Sequence, residues 1–325
     1  MKIPKLSYSL LSSNQYDTII DVRSPSEYEQ DHVIGAINFP VLSDDERALV
    51  GITYKQDSRF KARKIGAALI ARNTAQHLES VLFLKERNWK PLIYCWRGGQ
   101  RSASFATILS EIGWRPHLID GGYKDYRSCI IDFLHKEKIE LNFTLISGHT
   151  GTAKTEILTN LKKLNLQVID LEHLANHRGS VFGAHPSNQP SQKLFESYLF
   201  KELKSLNLKE PIFLEAESNK IGRLSIPSIV WNQMKSAPRI EITAPLNERA
   251  AYLTRTYKDL SLNPEILSRR IDFLISQQGY EKISRWQNFV ETRKFSNLAT
   301  ELMFHHYDPR YQNSRTKLKN LKLAS

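Results

Sequence analysis

Cysteine is almost missing from this chain of 325 residues: Cys95 and Cys129 are the only two. That scarcity excludes a disulfide framework and points to a reducing compartment, with the cytoplasm as the default. No apolar run reaches the length that crosses a bilayer, and Met1-Lys2-Ile3-Pro4 opens no signal-peptide pattern, so no membrane partner is predicted. Internal repeats and low-complexity segments are absent as well. Acidic residues give out near the end: after Asp308 come Arg310, Arg315, Lys317, Lys319 and Lys322 with no Asp or Glu among them. Against these absences stand 41% apolar residues, ordinary for a globular protein, and a formal charge of +12, which suits a polyanionic partner. Basic charge alone does not choose RNA over DNA or phospholipid, and a basic tail also reads as a solvated end. The length suggests two domains, each large enough to bury a core.

Strand and helix signals alternate from the start. Residues 18–22 are β-rich, and Ser24-Pro25-Ser26-Glu27 has the form of a capping box with Pro at the first helical position. Leu92, Ile93 and Tyr94 read as a strand, Phe105, Leu109 and Ile112 recur at helical spacing, and residues 117–119 form another strand. Gly121-Gly122-Tyr123 then turns the chain into a polar helix through about Lys138. Alternation of this kind predicts a parallel α/β sheet. A second α/β unit follows, with strands at residues 143–147, 167–170 and 211–215 and a helix face marked by Ile157, Leu158, Leu161 and Leu164. From about Asn247 the chain is helical and charged, including Arg249, Arg255, Arg269 and Arg270. Domains are therefore drawn at 1–136 and 137–325.

The richest stretch is Tyr94-Cys95-Trp96-Arg97-Gly98-Gly99-Gln100-Arg101-Ser102. Cys95 stands at the end of a predicted strand, under a glycine loop that opens into a helix. Loop N–H groups and the helix N-terminus favour an anion there. With Arg97 and Arg101 nearby, such a field is expected to lower the thiol pKa and expose a thiolate beside an anion cradle. The bland alternative is a buried structural cysteine. Cys129, downstream in a predicted helix, is assigned a structural role.

A second cradle is Gly148-His149-Thr150-Gly151-Thr152-Ala153-Lys154-Thr155, which nearly fits the P-loop pattern. Backbone N–H groups of such a loop wrap a phosphate chain, the Lys reaches the terminal phosphate, and the hydroxyl holds a metal ion. Ala153 stands where glycine is usual, and its Cβ disfavours positive φ. Glu215, after an apolar strand, and Glu217 are the Walker-B candidates. Neither is a clear Asp partner for Mg²⁺, so binding of a polyphosphate or diphosphate follows from the loop and nucleotide hydrolysis does not. His173, His177 and His185 invite a metal reading, the first two being four apart on a predicted helix. No carboxylate or thiol completes a site, and no metal centre is predicted.

Asp21-Val22-Arg23-Ser24-Pro25-Ser26-Glu27-Tyr28, followed by His32-Val33-Ile34-Gly35-Ala36-Ile37-Asn38, resembles the opening of rhodanese domains. That fold places its cysteine where Cys95 stands. Common sulfurtransferase loops have four residues between Cys and Arg, whereas five separate Cys95 from Arg101. The longer loop is similar to those of rhodanese-fold and tyrosine phosphatases, so a cysteine phosphatase or a sulfurtransferase is the alternative on this motif. A non-enzymatic, nucleotide-gated RNA-binding protein is a third reading, which leaves Cys95 with its arginines unexplained.

A rhodanese domain fused to a P-loop domain resembles the tRNA 2-selenouridine synthases, nearly end to end. The segments that carry the likeness include Glu46-Arg47-Ala48-Leu49-Val50-Gly51, the Cys-Trp-Arg-Gly-Gly core, Gly121-Gly122-Tyr123-Lys124 and Leu171-Glu172-His173-Leu174-Ala175-Asn176-His177-Arg178-Gly179-Ser180. Gln189-Pro190-Ser191-Gln192, Ile221-Gly222 and His306-Tyr307-Asp308-Pro309-Arg310-Tyr311 follow in order. Ala153 departs from the pattern, and so does Ala216, where an acidic residue is usual. The implied fold is α/β: an N-terminal rhodanese-like parallel-sheet domain, then a P-loop NTPase-like α/β domain with a helical, basic C-terminal region.

The resemblance implies replacement of sulfur by selenium in wobble 2-thiouridine of tRNA. Selenophosphate is the implied donor, and the implied path runs through an S-geranyl intermediate made from geranyl diphosphate. Cys95 is then the nucleophile that handles selenium, and residues 96–101 (Trp96, Arg97, Gly98, Gly99, Gln100 and Arg101) form the selenophosphate loop. The P-loop is expected to hold the prenyl diphosphate, with nucleotide and Mg²⁺ as its rival occupants and no tightly bound cofactor. Arg255, Arg269, Arg270, Arg310, Arg315, Lys317 and Lys319 are the candidates for tRNA phosphates. The sequence leaves the oligomeric state open.

Overall fold

A computed structural model describes residues 3–11, 15–180, 182–183, 188–216 and 218–312. Two compact units make up the chain: Met1–Lys138 with Pro190–Lys201, and Ile139–Gln189 with Glu202–Ser325. The contiguous division drawn from the sequence differs in one respect, because Pro190–Lys201 belongs with the N-terminal unit. There Arg127 pairs with Glu196, the Ser197 hydroxyl donates to Asp31 at 2.6 Å, and Phe200 meets the Phe133 ring edge-on. These contacts lie more than sixty residues apart in the chain, beyond the reach of local pattern.

In the N-terminal unit the elements run β1 (Lys5–Leu6), β2 (Thr18–Asp21), α1 (Pro25–Gln30), β3 (Ile37–Asn38), α2 (Asp44–Gln56), α3 (Arg59–Glu79), β4 (Pro91–Tyr94), α4 (Gln100–Ile112), β5 (His117–Ile119) and α5 (Tyr123–Ile131). The five strands form one sheet in the order β1-β5-β4-β2-β3, and every pairing is parallel. All four residues of β4 are buried, as a central parallel strand covered on both faces requires. Ser24 and Glu27 close the capping box that starts α1. The Asp-Val-Arg motif is structural: Arg23, 1% exposed, donates through Nε and Nη2 to Asp21 and through Nη2 to the Asp31 carbonyl, with Tyr123 stacked 4.0 Å away. A buried arginine is tolerable because each of these partners replaces lost water.

The C-terminal unit contains β6 (Phe143–Gly148), α6 (Lys154–Lys163), β7 (Gln167–Ile169) and α7 (Leu171–Leu174). After α8 (Gln192–Ser205) come β8 (Ile212–Glu215), the short antiparallel pair β9 (Lys220–Ile221) and β10 (Leu224–Ser225), α9 (Ser228–Ser236) and β11 (Arg239–Ile242). Its parallel sheet has the order β11-β6-β8-β7. Six helices complete it: α10 (Leu246–Thr256), α11 (Lys258–Ser261), α12 (Pro264–Asp272), α13 (Ile275–Gln278), α14 (Tyr280–Glu291) and α15 (Phe295–Leu302). The last five of them pack around fully buried Trp286. α7 is a single turn, so His173 and His177 do not share the predicted helix; His177 instead accepts from the Gly179 N–H at 3.0 Å. Among the described residues no helix is long and apolar enough to cross a membrane.

Candidate functional site

Cys95 follows the last residue of β4 and lies at the carboxyl end of the sheet, where open parallel sheets place their ligand sites. The thiol is 3% exposed, and Ser102 donates to its sulfur at 3.2 Å. α4 begins at Gln100 with Gly99 as its N-cap. Among the described residues no protein acceptor takes the backbone N–H groups of residues 97–101, which leaves a run of donors for an anion. The loop is held from behind by Gly121-Gly122-Tyr123-Lys124: Tyr123 N donates to the Cys95 carbonyl at 2.8 Å and Lys124 N to Trp96 at 3.0 Å. Gly122 has φ +62°, and a Cβ there would lie 2.3 Å from the Cys95 oxygen, so only glycine allows this approach.

The two arginines behave differently. Arg97 is exposed and enters no ion pair among the described residues. Arg101 is not poised over the sulfur; its Nη1 donates to Glu27 at 2.7 Å, and Arg47 reaches the same oxygen at 3.0 Å. Burial pushes the Glu27 carboxyl up, but the Arg101 hydrogen bond and charge outweigh it and hold the group below the usual carboxylate range. The expected exposed sulfur between two free guanidiniums is thus a shielded one, with Arg101 paired to Glu27 and Arg97 in no ion pair among the described residues. Trp96, 36% exposed, leans on Tyr123, and Gln100 is exposed at the start of α4. Cys129 lies in α5 and is half-buried.

The second loop connects β6 to α6 and borders a cavity of about 660 Å³ lined by residues 148 and 150–156. Lys154 Nζ donates to the Gly148 carbonyl at 2.9 Å, and the Thr152 hydroxyl donates to His149 O at 2.9 Å. No acceptor among the described residues takes the N–H groups of Gly151, Ala153, Lys154 or Thr155. Ala153 occupies the left-handed region at φ 58°, ψ 31°, so the loop keeps the glycine-type conformation and accepts a strain of about 1–2 kcal/mol. Gly151, at φ +86°, passes so close to Arg249 that a Cβ would lie 2.9 Å from its carbonyl oxygen.

Sequence reasoning missed what braces this loop. Arg249, 6% exposed on α10, donates to Thr150 O at 3.2 Å and through both Nη atoms to Asp308 at 2.9 and 2.8 Å. Asp308 also lies 3.0 Å from His149 Nδ1, and Tyr311 packs on the His149 ring. Burial pushes the Asp308 carboxyl up, but Arg249 and His149 outweigh it and hold it below its ordinary value. The only sequence signal was that Asp308 sits in a motif quoted for the family likeness.

Glu215, the first Walker-B candidate, is 3% exposed at the end of its strand and accepts from the Glu172 N–H at 2.6 Å. Glu156, Asp170 and Glu172 are the carboxylates that line the P-loop cavity, and Thr155 Oγ1 is 3.5 Å from Glu172 Oε2. Glu217, His185, Arg315, Lys317 and Lys319 lie outside the described residues. Of the arginines assigned to tRNA, Arg255 and Arg269 are exposed. Arg270 instead donates to the Phe182 carbonyl at 2.5 Å, and Arg310 to Gln277 Oε1 at 2.5 Å. Arg270 is half-buried by its bond, whereas Arg310 stays exposed, as does Gln277.

A smaller apolar cavity of about 90 Å³ adjoins the P-loop cavity and shares Thr150, Ser180, Leu253, Tyr257 and Tyr307 with it.

A thiol loop at the end of a central parallel strand, and a separate P-loop on its own parallel sheet, define a two-domain protein of the rhodanese-like and P-loop classes. A family model for the rhodanese-like domain matches residues 4–129, and one for the tRNA 2-selenouridine synthase AAA domain matches residues 141–270. A curated tRNA 2-selenouridine synthase from Nitrosomonas europaea is 33% identical over 304 residues, covering 92% of this chain and 76% of the relative. That from Chromohalobacter salexigens is 33% identical over 320 residues, covering 90% and 87%. For Nitrosomonas eutropha the figures are 35% over 235 residues, 71% and 60%. The chain belongs to the tRNA 2-selenouridine synthase family.

Proposed function

We propose that this enzyme converts 2-thiouridine to 2-selenouridine at the wobble position of tRNA in the cytoplasm, in two chemically distinct steps. In the first, the thiocarbonyl sulfur attacks C1 of geranyl diphosphate, the C1–O bond breaks, and diphosphate leaves with the electron pair as the base loses its N3 proton. Lys154 and the P-loop amides neutralise the departing charge. Alkylation turns a poor leaving group into a thiol. In the second step Cys95 is the nucleophile that releases selenium. Its sulfur attacks phosphorus of selenophosphate, the P–Se bond breaks, and the selenide so freed adds at C2. Geranyl thiol departs with the C2–S electron pair, while water removes the phosphoryl group from the Cys95 sulfur as phosphate. Arg97 and the N–H groups of residues 97–101 hold the donor's phosphate. Arg255, Arg269 and Arg310 are the exposed candidates for tRNA phosphates among the described residues.

The observation that carries this reading is a chain with two unclaimed anion cradles, only one of which contains a nucleophile. Nucleotide with Mg²⁺ is the rival at the P-loop. Thr155 and Glu172 offer the oxygen donors that a hard cation takes. A cysteine phosphatase would leave the second cradle without a task. Nucleoside mass spectrometry after incubating the protein with 2-thiouridine tRNA, geranyl diphosphate and selenophosphate is expected to show S-geranyl-2-thiouridine and then 2-selenouridine. Phosphate release from an aryl phosphate without tRNA, and no change in the nucleosides, would favour the phosphatase instead.

A further inference from the structure

The apolar cavity beside the P-loop has no part in binding phosphate, yet Thr150 of the loop itself forms a wall common to both spaces. Its surface is almost wholly carbon, from side chains such as Phe182, Leu260, Phe295, Leu298, Leu302 and Met303. A nucleobase needs hydrogen-bonding partners along its edges, and this wall supplies almost none. The combination of amide-lined cradle and contiguous greasy recess suits a phosphate ester with a short hydrocarbon tail. Size narrows the tail further. An apolar cavity of 150 Å³ holds benzene, so 90 Å³ holds about four carbons, the branched dimethylvinyl tip of a prenyl chain.

We propose that this recess receives the end of the prenyl chain and sets its length, with the middle of the chain lying in the throat shared by Leu253, Tyr257 and Tyr307. The inference rests on the reading of the P-loop as an allylic diphosphate site. A five-carbon dimethylallyl tail ends in the throat and leaves the recess empty. A fifteen-carbon farnesyl tail has five carbons too many.

Calorimetric titration of the full chain tests it. Geranyl diphosphate is expected to bind roughly 100-fold more tightly than dimethylallyl diphosphate, from four buried carbons, and more tightly than farnesyl diphosphate; equal affinities would overturn the proposal. Ala299, which lines the recess and not the P-loop cavity, is the residue to enlarge. Ala299→Leu should lose at least tenfold in affinity for geranyl diphosphate while binding inorganic pyrophosphate and dimethylallyl diphosphate as the parent does. Unchanged geranyl affinity in that variant sinks the recess. Should pyrophosphate binding be lost too, Leu302→Ala decides: a shift of preference towards farnesyl diphosphate supports the proposal, and an unaltered order of chain lengths refutes it. Lys154→Ala separates the underlying reading, because geranyl diphosphate binding that survives this change removes the diphosphate from the P-loop whatever Ala299 does.

Discussion

The two cradles reach similar ends by opposite means. In the N-terminal unit the loop closes around an atom of the protein, the Cys95 sulfur, and is braced from behind by the backbone N–H groups of Tyr123 and Lys124, with Gly122 packed against it. In the C-terminal unit the loop contains no nucleophile, and side chains brace it: Arg249 and Asp308 hold His149 and Thr150 in place. On the function proposed above, the first positions a bond-forming atom and the second receives charge as a group leaves. A backbone brace tolerates no side chain, whereas a brace of ionised groups depends on pH and can be loosened one charge at a time.

Replacing Cys95 gives the largest test of this division. Cys95→Ser is expected to abolish selenium incorporation while S-geranyl-2-thiouridine still accumulates, as read by nucleoside mass spectrometry. Loss of both products together would erase the contrast. Next comes Lys154→Ala, expected to slow geranylation by about 10²–10³-fold and to leave selenation of a pre-geranylated tRNA at the parent rate, measured in separate single-turnover assays.

Acid should distinguish the units as well. Burial, with Arg310 nearby, lowers the His306 pKa to about 4 from 6.5. Between those values the unfolded chain binds a proton that the folded one does not, so stability of the C-terminal unit falls as pH drops from about 6.5 towards 4. Glu27 acts in the other unit and over a lower range: its depressed pKa gives stability that is present above its ordinary value of 4.5 and lost as pH falls through the folded one. Hydrogen exchange resolved by segment should show the C-terminal unit loosening first on acidification; the reverse order would contradict the assignment. The smallest effect is expected at residue 153. Ala153→Gly relieves the left-handed strain but loosens the unfolded chain, for a net gain of about 0.5–1 kcal/mol in denaturant unfolding. No gain would mean that the loop has relaxed around the methyl group.

Local signals made much of this legible. The strand-loop-helix order around Cys95 and Lys154 lies within a dozen residues each, so apolar period, glycine and capping pattern suffice. The same holds for Ser24 and Glu27. What escaped depends on distance in the chain. Arg101 finds Glu27 across 74 residues, and Arg249 finds Asp308 across 59. β11 was missed because an edge strand with Arg239 and Glu241 exposed shows no apolar run. The helices α2 and α3 were missed because Leu49, Ile52 and Phe60 are exposed and blur the helical stripe. Gly121-Gly122 was seen as a turn, but its role as the back wall of the sulfur loop required the sheet.

The bond between His149 and Asp308 spans 159 residues. A ribosome adding 5–20 residues per second makes the first partner about 8–32 seconds before the second. During that interval the nascent loop has its glycines and lysine and then Arg249, but not Asp308, which ties Arg249 to His149. A fragment cut at residue 270, where the matched AAA segment stops, would stay in that immature condition permanently. Asp308 is therefore a component of the P-loop's support, and that support is complete only once residue 308 has been made.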